Sequence, residues 1–314
     1  MTPRELPASV CAAVTAALPD ADLNAATPLG EGWAQAAYRV PVPDGDRVLR
    51  YPRLANYEGA ERPELLDMAI ADAEREVDLL PALAACGLPV PTDLVALRDS
   101  DGQFVGALHR LIEGAPLKRS MLVGGRRRRL ARQLGEFFTR LHAFPPERAV
   151  ALDLKDIDLW EQEYRPLFDF CTPLVGPATG RWLASTAERF HAEGGMTGAP
   201  RVLVHGDVGG EHLRLTGDGD LRGVIDFGDA MVADPALDIA GIQLLCGTPF
   251  MDEMLEHYEG EIDPHLRRRA QFYVDAVALY QVRYGDLVRD GQERIDGRRK
   301  LAAKAAAATR RGGR

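Results

Sequence analysis

Residues 202–215, VLVHGDVGGEHLRL, run from an apolar segment into His205-Gly206-Asp207, reach His212 after four further residues, and re-enter an apolar segment. Thirteen residues separate His212 from Asp226-Phe227-Gly228. A carboxylate at the end of a buried strand can orient a hydroxyl and take its proton. An imidazole and a second carboxylate can hold a divalent ion against phosphate oxygens, so the set suits phosphoryl transfer. The same four side chains, His205, Asp207, His212 and Asp226, could serve a metal-dependent hydrolase instead. No ligand-spaced motif such as HExxH occurs among the seven histidines, which weighs against that alternative.

Two sets of elements must bring these groups together. Residues 27–50, TPLGEGWAQAAYRVPVPDGDRVLR, contain two β-like runs around the turn PDGD and read as a hairpin, with Gly30 and Gly32 at its opening. Residues 63–87 repeat apolar positions every three or four residues, follow a proline and stop at a glycine, as an amphipathic helix does. LPVPTDLVAL and QFVGALHRLIEG are further strand candidates, completing a small lobe that ends near Glu113. Helical periodicity then dominates, in LVGGRRRRLARQLGEFFTRLH, IDLWEQEYRPLFDF and PATGRWLASTAERFHAEGG. The short strands RVLVH and RGVIDF enclose the chemical loop and a GDGD turn, and three more helical segments follow. The expected fold class is α+β and bilobal, with a small β-sheet lobe over residues 1–112 and a larger, mostly helical lobe over 113–314.

Protein kinases space their groups in the same way: H-R-D, four residues, Asn, and later D-F-G. With LGEGWAQAAYRV, VLRYPR, EREVDLL, LARQLGEFFTRLH, LVHGDVGGEHLRL, GVIDFGDAMVADPALDIA and LYQVRYGDLVRDG, the chain resembles the aminoglycoside phosphotransferase family. These are kinase-like enzymes that phosphorylate hydroxyls of antibiotics and other small molecules. The resemblance implies a protein-kinase-like fold, a nucleotide held between the lobes, and Mg2+ as cofactor. Asp207 would be the catalytic base, with His212 and Asp226 as metal ligands. Gly30 and Gly32 would lie over the phosphates, Arg50 would stand where a phosphate-gripping lysine is usual, Glu76 would pair with it, and Leu111 and Ile112 would face the purine. His205 and Asp238 would brace the loop, and Asp234 would cap the helix after it. Histidine at 212, where asparagine is general, resembles the aminoglycoside 2″-phosphotransferase and macrolide phosphotransferase branches, so ATP and GTP are both candidate donors.

The remaining composition narrows the partners. A net charge of −9 over 314 residues argues against nucleic acid, because phosphate backbones require a basic face. No apolar run approaches the length of a membrane span, and four scattered cysteines suggest neither a disulfide framework nor a zinc site, so a cytoplasmic protein with reduced thiols is expected. The basic run at 126–129 and the basic tail from 298 read as a solvated helix face and a frayed end. Residues 249–263, PFMDEMLEHYEGEID, carry six acids and no Lys or Arg, which would attract an amine-rich sugar. The apolar QLLCG just before them would suit a macrolide instead. Other readings are a small-metabolite kinase and a pseudokinase-like nucleotide-binding regulator, the latter because Arg50 and His212 replace the usual residues.

Overall fold

The computed structural model of the chain describes residues 6–31, 35–53, 64–195, 198–287 and 291–312. The apolar N-terminal segment forms α1 (Ala8–Ala17). Next come β1 (Thr27–Glu31), β2 (Gln35–Val40), β3 (Arg47–Pro52), α2 (Glu64–Ala85), β4 (Val95–Arg98) and β5 (Phe104–Arg110). The five strands make one antiparallel sheet in the order β1-β2-β3-β5-β4. The expected two-run hairpin over 27–50 is therefore a three-stranded unit, in which the PDGD turn joins β2 to β3. β1 is an edge strand, a position that tolerates Pro28 with its missing N–H, and its register with β2 shifts between Pro28 and Gly30.

Alternation along β3 sends successive side chains to opposite faces of the sheet. Leu49 and Tyr51 enter a cluster with Val10 and Val14 of α1 and with Tyr38 and Leu108. Arg50 consequently projects to the face covered by α2. On α2, Ala69, Ala73, Glu76, Leu80 and Leu83 recur at helical spacing and are buried, so Glu76 is a charged residue within an apolar stripe. Leu79, Leu80 and Leu83 continue into the main core beneath, which ties α2 to the second lobe.

That lobe begins with β6 (Ala115–Pro116), α3 (Gly124–His142) and α4 (Pro146–Ala151). A π-helical turn at Leu159–Tyr164 leads into α5 (Arg165–Cys171), followed by α6 (Pro177–Ala192). Four short strands come next: β7 (Val202–Val204), β8 (Leu213–Leu215), β9 (Leu221–Val224) and β10 (Met231–Ala233). The strands in RVLVH and RGVIDF do not pair with each other. β7 pairs with β10, while β8 pairs with both β9 and β6. The chain crosses between these two small sheets twice, once through 205–212 and once through 225–230, and both crossings carry the chemical residues.

α7 (Ala236–Cys246), α8 (Thr248–Leu255), α9 (Leu266–Leu287) and α10 (Gly291–Gly312) complete the lobe. The basic tail, expected to fray, is α10. Its Leu301 is fully buried, its Gly297 lies where a Cβ would be 2.8 Å from the Val282 nitrogen, and Lys304 reaches Asp275 at 2.7 Å. Small residues let α10 approach α9 closely, and buried area then outweighs the cost of ordering the chain end. The result is the expected α+β, bilobal arrangement of a small antiparallel sheet and a larger helical part.

Candidate active site

β7 delivers His205, Gly206 and Asp207 into the first crossing, where buried groups fix the backbone. His205 is fully buried; its Nε2–H donates to the Ile225 carbonyl at 3.0 Å and its Nδ1 accepts the Asp207 N–H at 3.2 Å. Asp238, in the first turn of α7 and equally buried, accepts the N–H groups of His205 at 2.9 Å and Gly206 at 3.0 Å. Gly206 has φ +85°, and a Cβ there would lie 2.2 Å from the Asp229 carbonyl oxygen, so no larger residue fits. With its backbone held, Asp207 leaves its carboxylate 58% exposed.

His212 Nδ1–H donates to the Asp207 carbonyl at 2.8 Å. This bond fixes the tautomer and leaves the Nε2 lone pair 3.5 Å from Asp226 Oδ2. Asp226 holds φ +70°, a left-handed conformation that is rare for a residue with a side chain and accumulates at functional sites.

Across the junction of the lobes, Arg50 Nη1 donates to both carboxylate oxygens of Glu76, at 2.8 and 2.7 Å, and Nη2 to Asp226 Oδ1 at 2.6 Å. Glu76 also accepts the Phe227 N–H at 3.1 Å. Burial pushes the Glu76 carboxyl up, against the pull of Arg50. At Asp226 burial pushes upward too, but the Arg50 guanidinium bonded to it opposes that rise, and the carboxyl stays below its usual range. His109, on the same face of the sheet, is pushed down to about 4 by burial and stays neutral beside Arg50.

Five expected site residues therefore converge: Asp207, His212, Asp226, Arg50 and Glu76. Gly30 lies in β1 opposite Ala37, where a side chain would meet open space, and Gly32 falls outside the described residues. The Leu111 N–H donates to the Asp46 carbonyl at 3.1 Å and is engaged within the lobe. The Ile112 side chain covers Gly223 of β9. Asp234 does more than cap α7. It accepts the Ala236 N–H at 3.0 Å, Arg269 Nε at 2.7 Å and the Tyr273 hydroxyl at 2.8 Å.

Sequence reasoning passed over Asp229, the carboxylate three residues after Asp226. It is exposed at the surface yet crowded by the loop, and burial, then Asp207, Asp226 and Asp72, push its carboxyl upward. The run DFGD could have signalled it. Among the described residues no group of three or more His, Cys, Asp or Glu has the geometry of a complete metal cage. An ion here would rest on His212 Nε2 and Asp226 Oδ2 with ligands from elsewhere. A separate cavity of about 350 Å³ lies on the other flank of α2, lined by Arg75, Asp78, Arg98 and Asp153 among others, and includes none of the five.

The sequence profile described as the phosphotransferase enzyme family matches residues 25–272. The chain belongs to this family. Membership makes it a phosphotransferase acting on hydroxyl groups. A solved complex of APH(2″)-IIIa with GDP and kanamycin shares the fold with a TM-score of 0.81 and 25% identity, over 95% of this chain and 98% of that one. The macrolide 2′-phosphotransferase MphH of Brachybacterium faecium superposes with a TM-score of 0.70 at 22% identity, over 94% and 98% of the two chains. The uncharacterized protein YcbJ of Bacillus subtilis (strain 168) is 35% identical over 57 residues, a match to 18% of this chain and 19% of that protein. No helix among the described residues is long and apolar enough to cross a membrane.

Proposed function

We propose that the chain moves the γ-phosphoryl group of ATP or GTP to a hydroxyl of an aminoglycoside-type antibiotic, in a cleft between residues 1–112 and 113–314. The observation that carries this reading is the Arg50 fork, which links Glu76 of the sheet lobe to Asp226 of the helical lobe beside the exposed Asp207 carboxylate. Asp207 accepts the acceptor's proton, and its backbone anchors keep it from drifting as the hydroxyl approaches. Arg50 offers cationic N–H groups to phosphate oxygens at the point where it now touches Asp226. Gly30 and Gly32 border the phosphates, while Leu111 and Ile112 line the base with their side chains.

Mg2+ fits the donor set as a two-ligand arrangement. Arg50 occupies Asp226 Oδ1, so Oδ2 and the His212 Nε2 lone pair are left for the ion. When bound, Mg2+ would neutralise charge on the nucleotide's phosphates, with phosphate and water supplying the harder oxygen ligands that an imidazole does not.

Choice of acceptor rests on the acid-rich segment, and its charge is smaller than the sequence suggests. Asp252 pairs with Arg267, Glu253 with Arg127 and Asp263 with Arg269, at 2.9, 2.9 and 2.7 Å. Glu256, Glu259 and Glu261 carry no ion pair among the described residues and remain exposed for an amine-bearing ligand. The kanamycin bound to APH(2″)-IIIa supports the same class. A macrolide is the second reading, favoured by Leu244, 53% exposed at the end of α7, and by Leu245 beside Gly210 of the catalytic loop. Purified protein with Mg2+, ATP or GTP and a panel of aminoglycosides and macrolides decides the matter. Phosphorylated kanamycin is the expected product, and nucleotide binding without transfer to any drug would overturn the reading.

A further inference from the structure

Three residues of α3 on one face, Gly135, Thr139 and His142, hold the end of α8 and the segment that follows it. A Cβ at Gly135 would lie 2.7 Å from the Met254 carbonyl oxygen, so the helix and this segment touch backbone to backbone. Thr139 Oγ1 accepts the Glu259 N–H at 2.9 Å. His142, 6% exposed, meets the Tyr258 hydroxyl with Nδ1 at 2.8 Å and Asp238 Oδ2 with Nε2 at 3.1 Å.

Chemistry assigns the protons along this line. The Asp238 carboxylate only accepts, and it already receives the N–H groups of His205 and Gly206, so the imidazole must present Nε2–H to it. Nδ1 of the neutral ring is then an acceptor, and Tyr258 donates its O–H. Burial, then Asp238 and Asp234, push the Tyr258 phenol upward, so it keeps that proton. The line Tyr258, His142, Asp238 ends on the two amides that immediately precede Asp207. Its other end lies between Glu256 and Glu259, the exposed acids given above to the acceptor.

We propose that Tyr258 and His142 are positioning residues for phosphoryl transfer: through Asp238 they set the placement of the catalytic loop and couple it to the acceptor-side segment 254–259. The proposal rests on the reading of Asp207 as the base. Neither residue touches a reacting atom. What they supply is orientation, since a buried, fully satisfied hydrogen-bond line has one low-energy geometry and a broken one has several.

Two conservative variants test it, Tyr258→Phe, which deletes one oxygen, and His142→Gln, whose amide can still donate to Asp238. The first readout is amide hydrogen exchange in the unliganded protein. Both variants speed exchange at His205 and Gly206 by about tenfold relative to the amides of α10, as expected for loss of one buried hydrogen bond on the line. The second is turnover with GTP, Mg2+ and kanamycin well below the melting temperature. kcat falls by roughly three- to tenfold at unchanged KM for GTP, and the double variant loses less than the product of the singles, as coupled residues do. A role in stability alone would lower the melting temperature and leave both readouts level. Exchange at His205 and Gly206 that rises no more than in α10 overturns the proposal whatever the turnover. Absence of transfer by the unaltered protein would instead sink the functional reading and leave the exchange result to decide the relay.

Discussion

Replacing Arg50 with methionine probes the junction between the lobes, because it keeps the length of the stem and deletes three charge-assisted hydrogen bonds, two to Glu76 and one to Asp226. Glu76, its side chain 8% exposed, would retain only the Phe227 N–H as partner. Stranding a buried charge in this way costs about 3–5 kcal/mol where the group must ionise. Glu76 already titrates above its ordinary value because it is buried, and Arg50 opposes that rise, so the variant's carboxyl moves further up. Between the unfolded and folded values the folded variant binds a proton that the unfolded chain does not. Its stability therefore falls as pH rises, by at most about 1.4 kcal/mol per unit for one group. In wild type Asp226 acts oppositely: its depressed value gives stability that is present above the unfolded aspartate range and lost as pH falls through the folded one; in the variant it loses the Arg50 pull, so its carboxyl moves up in the same direction as that of Glu76. The gap between wild type and Arg50→Met should thus widen as pH rises above the wild-type Glu76 value, followed from the ordinary carboxylate range to mildly alkaline pH by urea unfolding with tryptophan fluorescence and far-UV circular dichroism. A gap that stays constant across this range, or a variant as stable as wild type at its upper end, would refute the argument.

Other consequences concern the loop and its ligands. Asp207→Asn should lower kcat by about 10²–10⁴-fold while leaving the nucleotide Kd unchanged, as measured by steady-state transfer and calorimetry. His212→Ala should raise the Mg2+ concentration needed for half-maximal rate by roughly tenfold or more, whereas His212→Asn, which restores a hard oxygen, should bring it back to or below the wild-type level. Gly206→Ala forces a Cβ against the Asp229 carbonyl oxygen at a positive φ and should cost about 1–3 kcal/mol of stability together with most of the turnover, read by thermal melts and initial rates.

Local signals carried much of this architecture. α2 and α3 are legible because their apolar positions recur at helical spacing between clear stops, and the crossings at 205–212 and 225–230 because glycines and charged groups interrupt β-branched runs. Arg50 and Glu76 needed the resemblance, since nothing in VLRYPR or EREVDLL by itself distinguishes a pair from two solvated charges. Tertiary pairing hid the rest. The sequence shows β7 and β9 enclosing the loop but not their partners, β10 and β8, a choice made by packing between sheets. The acidity of residues 249–263 was overestimated because Arg127, Arg267 and Arg269 neutralise half of it from other helices. His142 and Tyr258 are 116 positions apart, so no local window joins them. α10 looked like a frayed end because its buried residues, among those described, are one glycine, one leucine and one alanine, Gly297, Leu301 and Ala305, whose value lies in close approach to α9.

The central claim is that His212 and Asp226 hold the ion and Asp207 faces the transferred phosphate. A crystal structure with Mg2+ and a non-hydrolysable GTP analogue tests it most directly. The ion should touch His212 Nε2 and Asp226 Oδ2, with the γ-phosphate between Arg50 and Asp207. A nucleotide seated elsewhere, such as the cavity behind α2, or an ion bound without either side chain, would contradict it.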